Sequence, residues 1–210
     1  MIFKYGYIVI YVIILSVGLF HFKKYKHSFL LKMWLYFLIY SFLTECITRY
    51  IVEIYRVRTI TLNNTWFILN VLFYMFFYLF NIKNLVRKRL IISLSSVFIL
   101  MNIIMSFYVD YTKEYFVYSN IIGQFFIVLS IMIYFVEVLK SEIILTIQKS
   151  LIFWISLGVL IFNIGLLPVF VIGELIDWQG IFKYIILSMN ILMAASFITG
   201  FIVSKKEFNT

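Results

Sequence analysis

Residues 151–175 read LIFWISLGVLIFNIGLLPVFVIGEL, 25 residues with a single charge, Glu174, near the far end. At about 1.5 Å of rise per residue, such a run as a helix exceeds the roughly 30 Å of hydrocarbon in a bilayer. In water its Ile, Phe and Val would favour strands. In lipid that preference is overridden, because only a helix satisfies its own backbone hydrogen bonds. Six further runs read the same way: Tyr5–Phe20, Phe29–Val52, Trp66–Phe80, Leu90–Val109, Ile121–Val138 and Tyr184–Val203. The third is the shortest. The expected fold is an all-α integral membrane protein, one domain over residues 1–210, built as a bundle of about seven transmembrane helices. The expected connections are short: His21–Ser28, Glu53–Thr65, Asn81–Arg89, Asp110–Asn120, Leu139–Ser150 and Ile176–Lys183.

Composition agrees with this reading. The 210 residues are 64% hydrophobic, 21% aromatic and only 13% charged, with a mean hydropathy of +1.05. Soluble domains are near half apolar and a quarter charged. The single cysteine, Cys46, excludes a disulfide framework or a cysteine zinc site and reads as a small apolar filler. The net charge of +9 would suggest nucleic acid in a soluble protein. Here it lies in short clusters between apolar runs, so no direct nucleic-acid contact is expected. The first run lacks a cleavage site, and its strong charges follow it, so it reads as a retained helix rather than a signal peptide.

Charge also orients the bundle. Lys23, Lys24, Lys26, Lys32, Lys83, Arg87, Lys88, Arg89, Lys140, Lys149, Lys205 and Lys206 fall on one side. Lys4, Arg56, Arg58, Lys113 and Lys183 fall on the other, and Arg49 lies within a helix. The richer side is expected to be cytoplasmic, which places the N-terminus outside and the C-terminus in the cytoplasm of a plasma (inner) membrane protein. Glu53, Asp110, Glu114, Glu174 and Asp177 all fall outside on this assignment. Trp66, Trp178, Tyr111, Tyr115 and Tyr118 would form the outer aromatic belt.

Polar groups inside such helices are costly and mark candidate sites. Glu45, Arg49 and Glu53 are spaced by four, so they share one face of the second helix. Asn70, Asn102, Gln124 and Asn190 lie toward the outer ends of four other helices, and Asn163 sits near the middle of the sixth. A lone asparagine usually bonds a neighbouring helix for a modest gain of about 0.6–2 kcal/mol. Together these eight residues suggest either a polar pocket opening outward or a structural network. Gly158, Gly165 and Pro168 on the sixth helix suggest close packing against small residues of the seventh, with a hinge at Pro168 as the sharper reading. His21 and His27 lack a further ligand and make no metal site.

The chain has no H-E-x-x-H, no G-x-S-x-G, no P-loop or Rossmann fingerprint, and no lysine within Tyr184–Val203 for a retinal Schiff base. No catalytic residue, cofactor or metal is expected, and the chain does not read as an enzyme. The run from Phe153, Trp154, Ile155, Ser156, Leu157 and Gly158 through Ile161 and Phe162 to Gly165, Leu167 and Pro168 resembles a signature of small seven-helix membrane proteins common in Bacteroidota. The Glu45–Glu53 helix, Asn70 and the aromatic third helix are similar too. The resemblance implies the fold but no activity and no functional residues. Other membrane proteins of this size accompany RNA-targeting CRISPR effectors or lie near sensor kinases. That is an analogy of size and composition only; the polar residues and basic loops make the expected function a sensor or accessory protein. Its outward pocket would take a ligand, and basic loops at Lys23, Lys24, Lys26, Arg87, Lys88 and Arg89 would contact a cytoplasmic protein partner. The alternative is a homo-oligomeric effector or channel, for example in antiviral defence. The inner half carries almost no polar groups beyond Lys32 and Glu137, which argues against a pore through one subunit.

Overall fold

A computed structural model of the chain describes residues 2–176 and 180–209, with side chains at all of these except 2–4, 142, 143 and 174–176. Asp177 and Trp178 therefore lie outside the described residues. Among those described there is no strand. The described residues form seven α-helices in order: α1 Ile2–Phe20, α2 Phe29–Tyr55, α3 Ile60–Asn81, α4 Leu85–Met105, α5 Val117–Leu139, α6 Leu151–Ile176 and α7 Gly180–Val203. Short 3-10 stretches occupy Phe22–Lys24, Glu142–Lys149 and Lys206–Phe208. Six helices, α2 to α7, contain apolar stretches long enough to cross a membrane, whereas the apolar stretch of α1, Tyr5–Phe20, is shorter.

The helices are apolar on the outside as well as within. Leu43, Ile47, Val97, Leu100 and Ile103 each expose about half of their surface. Water would not favour that much exposed hydrocarbon on a monomer. A bilayer would, and the chain is a multi-pass membrane protein.

Several helices begin or end away from the apolar runs that announce them. α3 starts at Ile60 rather than Trp66, so Asn63, Asn64 and Thr65 are helical and not loop. α4 starts at Leu85 because the Asn84 side chain accepts the Val86 and Arg87 amides at 3.0 and 3.2 Å. Polar residues at a helix end keep helical geometry wherever a cap or neighbour takes up the free backbone groups.

Close contacts group the chain into two units, one of residues 1–43 and 138–210, the other of residues 44–137. In the first unit α7 packs on both α6 and α1. A Cβ at Gly200 would stand 2.5 Å from Trp154 Cβ, and one at Gly158 would stand 2.8 Å from the Phe197 ring and 3.0 Å from the Met193 carbonyl. Gly165 faces the flexible Met189 side chain. Glycine thus lets the α6 and α7 backbones approach, where packing and not hydrophobicity drives helix association in lipid. α6 passes through Pro168, which is exposed, as one helix. Trp34 of α2 is fully buried and meets Phe197 edge-on at 5.0 Å.

In the second unit α3 packs on α4. Gly123 of α5 fits against Val71 and Phe67 of α3 and Phe98 of α4, with an added Cβ only 2.7 Å from Val71. Tyr78 and Tyr134 bring their rings to 5.7 Å.

Candidate functional site

The second unit holds six of the eight polar residues read as a pocket, and Asn163 and Asn190 belong to the first. Within the second unit, α2 ends, α3 starts, α4 ends and α5 starts at one end, which is closed by residues 106–116. By helix rise, Asn102 lies about 5 Å in from that end, Arg49 and Gln124 about 10 Å, and Glu45 and Asn70 about 15 Å. All five are therefore in the half nearer that loop.

Their local chemistry differs. Arg49 Nε donates to Glu45 Oε1 at 2.8 Å, and both side chains are partly buried. Glu53, one turn further on, is exposed. Asn102 donates to its own helix at Phe98 O (2.8 Å), and its carbonyl accepts from the Ser119 hydroxyl of α5 at 2.7 Å. Asn163 and Asn190 also donate one turn back, to Val159 O at 2.7 Å and Ile186 O at 2.8 Å. An amide in hydrocarbon needs an acceptor, and the carbonyl four residues earlier is one that the helix supplies. Asn70 is partly buried. Gln124 is buried, and its carbonyl oxygen has no hydrogen-bond partner among the described residues. That oxygen is shut off from any accessible space, so nothing can reach it without movement.

The best-built polar centre of this unit is one that the apolar pattern hides. Asn64, 2% exposed, donates to Tyr111 O at 3.0 Å and Glu114 O at 2.9 Å and accepts from the Phe116 amide at 3.2 Å. One side chain thus holds residues 111–116 against α3. Next to it, the Thr65 and Tyr111 hydroxyls are bonded to each other. Asp110 accepts from the Thr112 hydroxyl at 2.6 Å and its amide at 2.9 Å and pairs with Lys113 at 3.0 Å. The Thr112 bonds and Lys113 hold its carboxyl down at about 2. Asn64 was detectable in principle. It continues the buried face of Phe67, Val71, Tyr74 and Tyr78 backwards at helical spacing.

Beneath the clasped loop lies an open recess of about 260 Å³ lined by Ile68, Leu72, Ile99, Asn102, Ile103, Ser106, Tyr111 and Phe116. Its walls are almost wholly apolar. Asn102, Ser106 and Tyr111 supply the polar atoms.

The opposite end of this unit carries Arg87, Lys88 and Arg89. Arg87 is not free for a partner: its guanidinium forms an ion pair with Glu137 of α5. Glu137 also accepts the Lys83 and Asn84 amides, each at 3.2 Å, just before α4 begins. Lys24, in the first unit, is engaged as well, donating to Phe201 O and Ile202 O at 2.9 and 2.6 Å. Lys23, Lys26 and Arg89 are exposed, and Lys88 is half-buried. Among the described residues no three His, Cys, Asp or Glu side chains gather as metal ligands. The chain matches no family model, no curated protein sequence and no solved structure.

Proposed function

We propose that the chain crosses the plasma membrane seven times, with the N-terminus outside. It acts as a non-enzymatic sensor or accessory protein for an amphipathic molecule taken up near the outer surface. The observation that carries this reading is the recess under residues 111–116, apolar in its walls and edged by Asn102 and Ser106. Ile99 and Ile103 of its lining are exposed and would face hydrocarbon in a bilayer. What enters from that side carries an acyl or similar apolar chain, and the polar edge suits its head. The charge split across the connections supports the orientation.

Two measurements test this. With Cys46→Ala as background, a cysteine replacing Tyr115 should label from outside, and one replacing Val86 only from inside. Labelling of both from one side would overturn the orientation. A photoreactive fatty acid should crosslink to residues lining the recess. Ile99→Trp, which fills the space, should reduce that labelling at least ten-fold without altering the melting temperature by more than a few degrees. Undiminished labelling in the folded variant would refute the recess as the site.

A further inference from the structure

One end of the first unit is woven from three segments far apart in the chain, residues 20–29, 139–150 and 202–209. The Lys24 bonds to Phe201 O and Ile202 O close the C-terminal end of α7. The buried Tyr25 hydroxyl donates to Gly18 O at 2.6 Å. The Lys205 amide donates to Lys149 O at 2.9 Å, and Asn209 Oδ1 accepts the Leu151 amide at 2.8 Å where α6 begins. The Lys149 ammonium stands 5.6 Å from the centre of the Phe208 ring. The backbone of this end is therefore tied in place.

The three segments contain seven lysines against two glutamates, Glu142 and Glu207. Lys23, Lys26, Lys140, Lys205 and Lys206 are exposed. Beside them, large apolar side chains stand bare: Phe20 is 85% and Leu145 86% exposed, and Leu139 and Ile202 are exposed too. Water would not favour bare Phe and Leu among ammonium groups. The boundary between hydrocarbon and headgroups does, because lysine stems lie along apolar surface while their charges reach outward.

We propose that this face binds the phosphate headgroups of anionic lipids, with Phe20 and Leu145 seated in the acyl boundary. The inference rests on the multi-pass membrane character of the chain and not on the recess of the second unit. The five exposed lysines supply the charge, and the hydrogen bonds between the segments hold them in register.

The test uses the full chain purified in a neutral detergent. Phosphatidylglycerol or phosphatidylcholine is added, and retained lipid is read by native mass spectrometry beside thermal melting. Phosphatidylglycerol should be retained at least ten-fold better, with the preference shrinking at high salt. Each lysine neutralised should weaken it roughly five-fold. Changing all five exposed lysines to glutamine should therefore abolish it, whereas Lys88→Gln with Arg89→Gln in the second unit should not. Equal retention of both lipids by the native chain would overturn the proposal. So would an unchanged preference in the five-lysine variant, or the same melting shift from inorganic phosphate alone. The native comparison needs no variant, so a variant that fails to fold leaves the test standing.

Discussion

Asn64→Asp is expected to destabilise the protein by about 3–5 kcal/mol, more than Asn64→Leu at about 2–4 kcal/mol. Asn64 gives both amide hydrogens to carbonyls, those of Tyr111 and Glu114, and uses its own carbonyl for the Phe116 amide. Leucine leaves all three partners unmade. Aspartate keeps the Phe116 bond but sets a buried negative charge against two carbonyl oxygens. Thermal melting in detergent at neutral pH checks the order, and lowering the pH should narrow the gap as the carboxyl protonates. Tyr111 and Phe116 also line the recess, so both variants should lose fatty-acid crosslinking along with stability. If Asn64→Asp melts like the native chain, loop 111–116 is not held by this residue.

Glu137→Ala is expected to cost about 2–4 kcal/mol, and more than Arg87→Ala. The glutamate serves the Arg87 guanidinium and the Lys83 and Asn84 amides at once, just ahead of the positive end of α4. Its loss leaves the part-buried Arg87 guanidinium without its ion-pair partner and removes the acceptor of both amides. Losing Arg87 strands a carboxylate that still holds two amides. A double-mutant cycle in the same melting assay should return a coupling of about 1–3 kcal/mol between the two residues. A coupling near zero would mean that the pair is solvated and decorative.

These two centres mark where sequence reading stops. Asn64 and Glu137 each make their bonds to residues about fifty positions away. Nothing local in either neighbourhood names those partners. A related limit applied to Arg87 and Lys24, which share short basic clusters with Lys88, Arg89, Lys23 and Lys26. Composition cannot say which member of a cluster turns inward. The Asn102, Asn163 and Asn190 side chains show the opposite case. Each bonds the carbonyl one turn back, an acceptor that the helix itself supplies.

By itself the sequence determined the class and the spans. An apolar run of bilayer length satisfies its own backbone hydrogen bonds in lipid only as a helix, so each of the six long helices contains all or most of the run that announces it, although their ends differ by several residues. It also determined that α6 and α7 could pack closely, because Gly158, Gly165 and Gly200 carry no Cβ wherever they are met. Tertiary structure alone decided that Gly158 meets Phe197, that Asn64 clasps loop 111–116, and that Lys24 closes α7. The physical reason is the range of the forces. Hydration and backbone satisfaction act on each segment separately and leave a periodic trace. A hydrogen bond between distant segments depends on how packed helices bring them within 3 Å, and that leaves no trace in the order of residues.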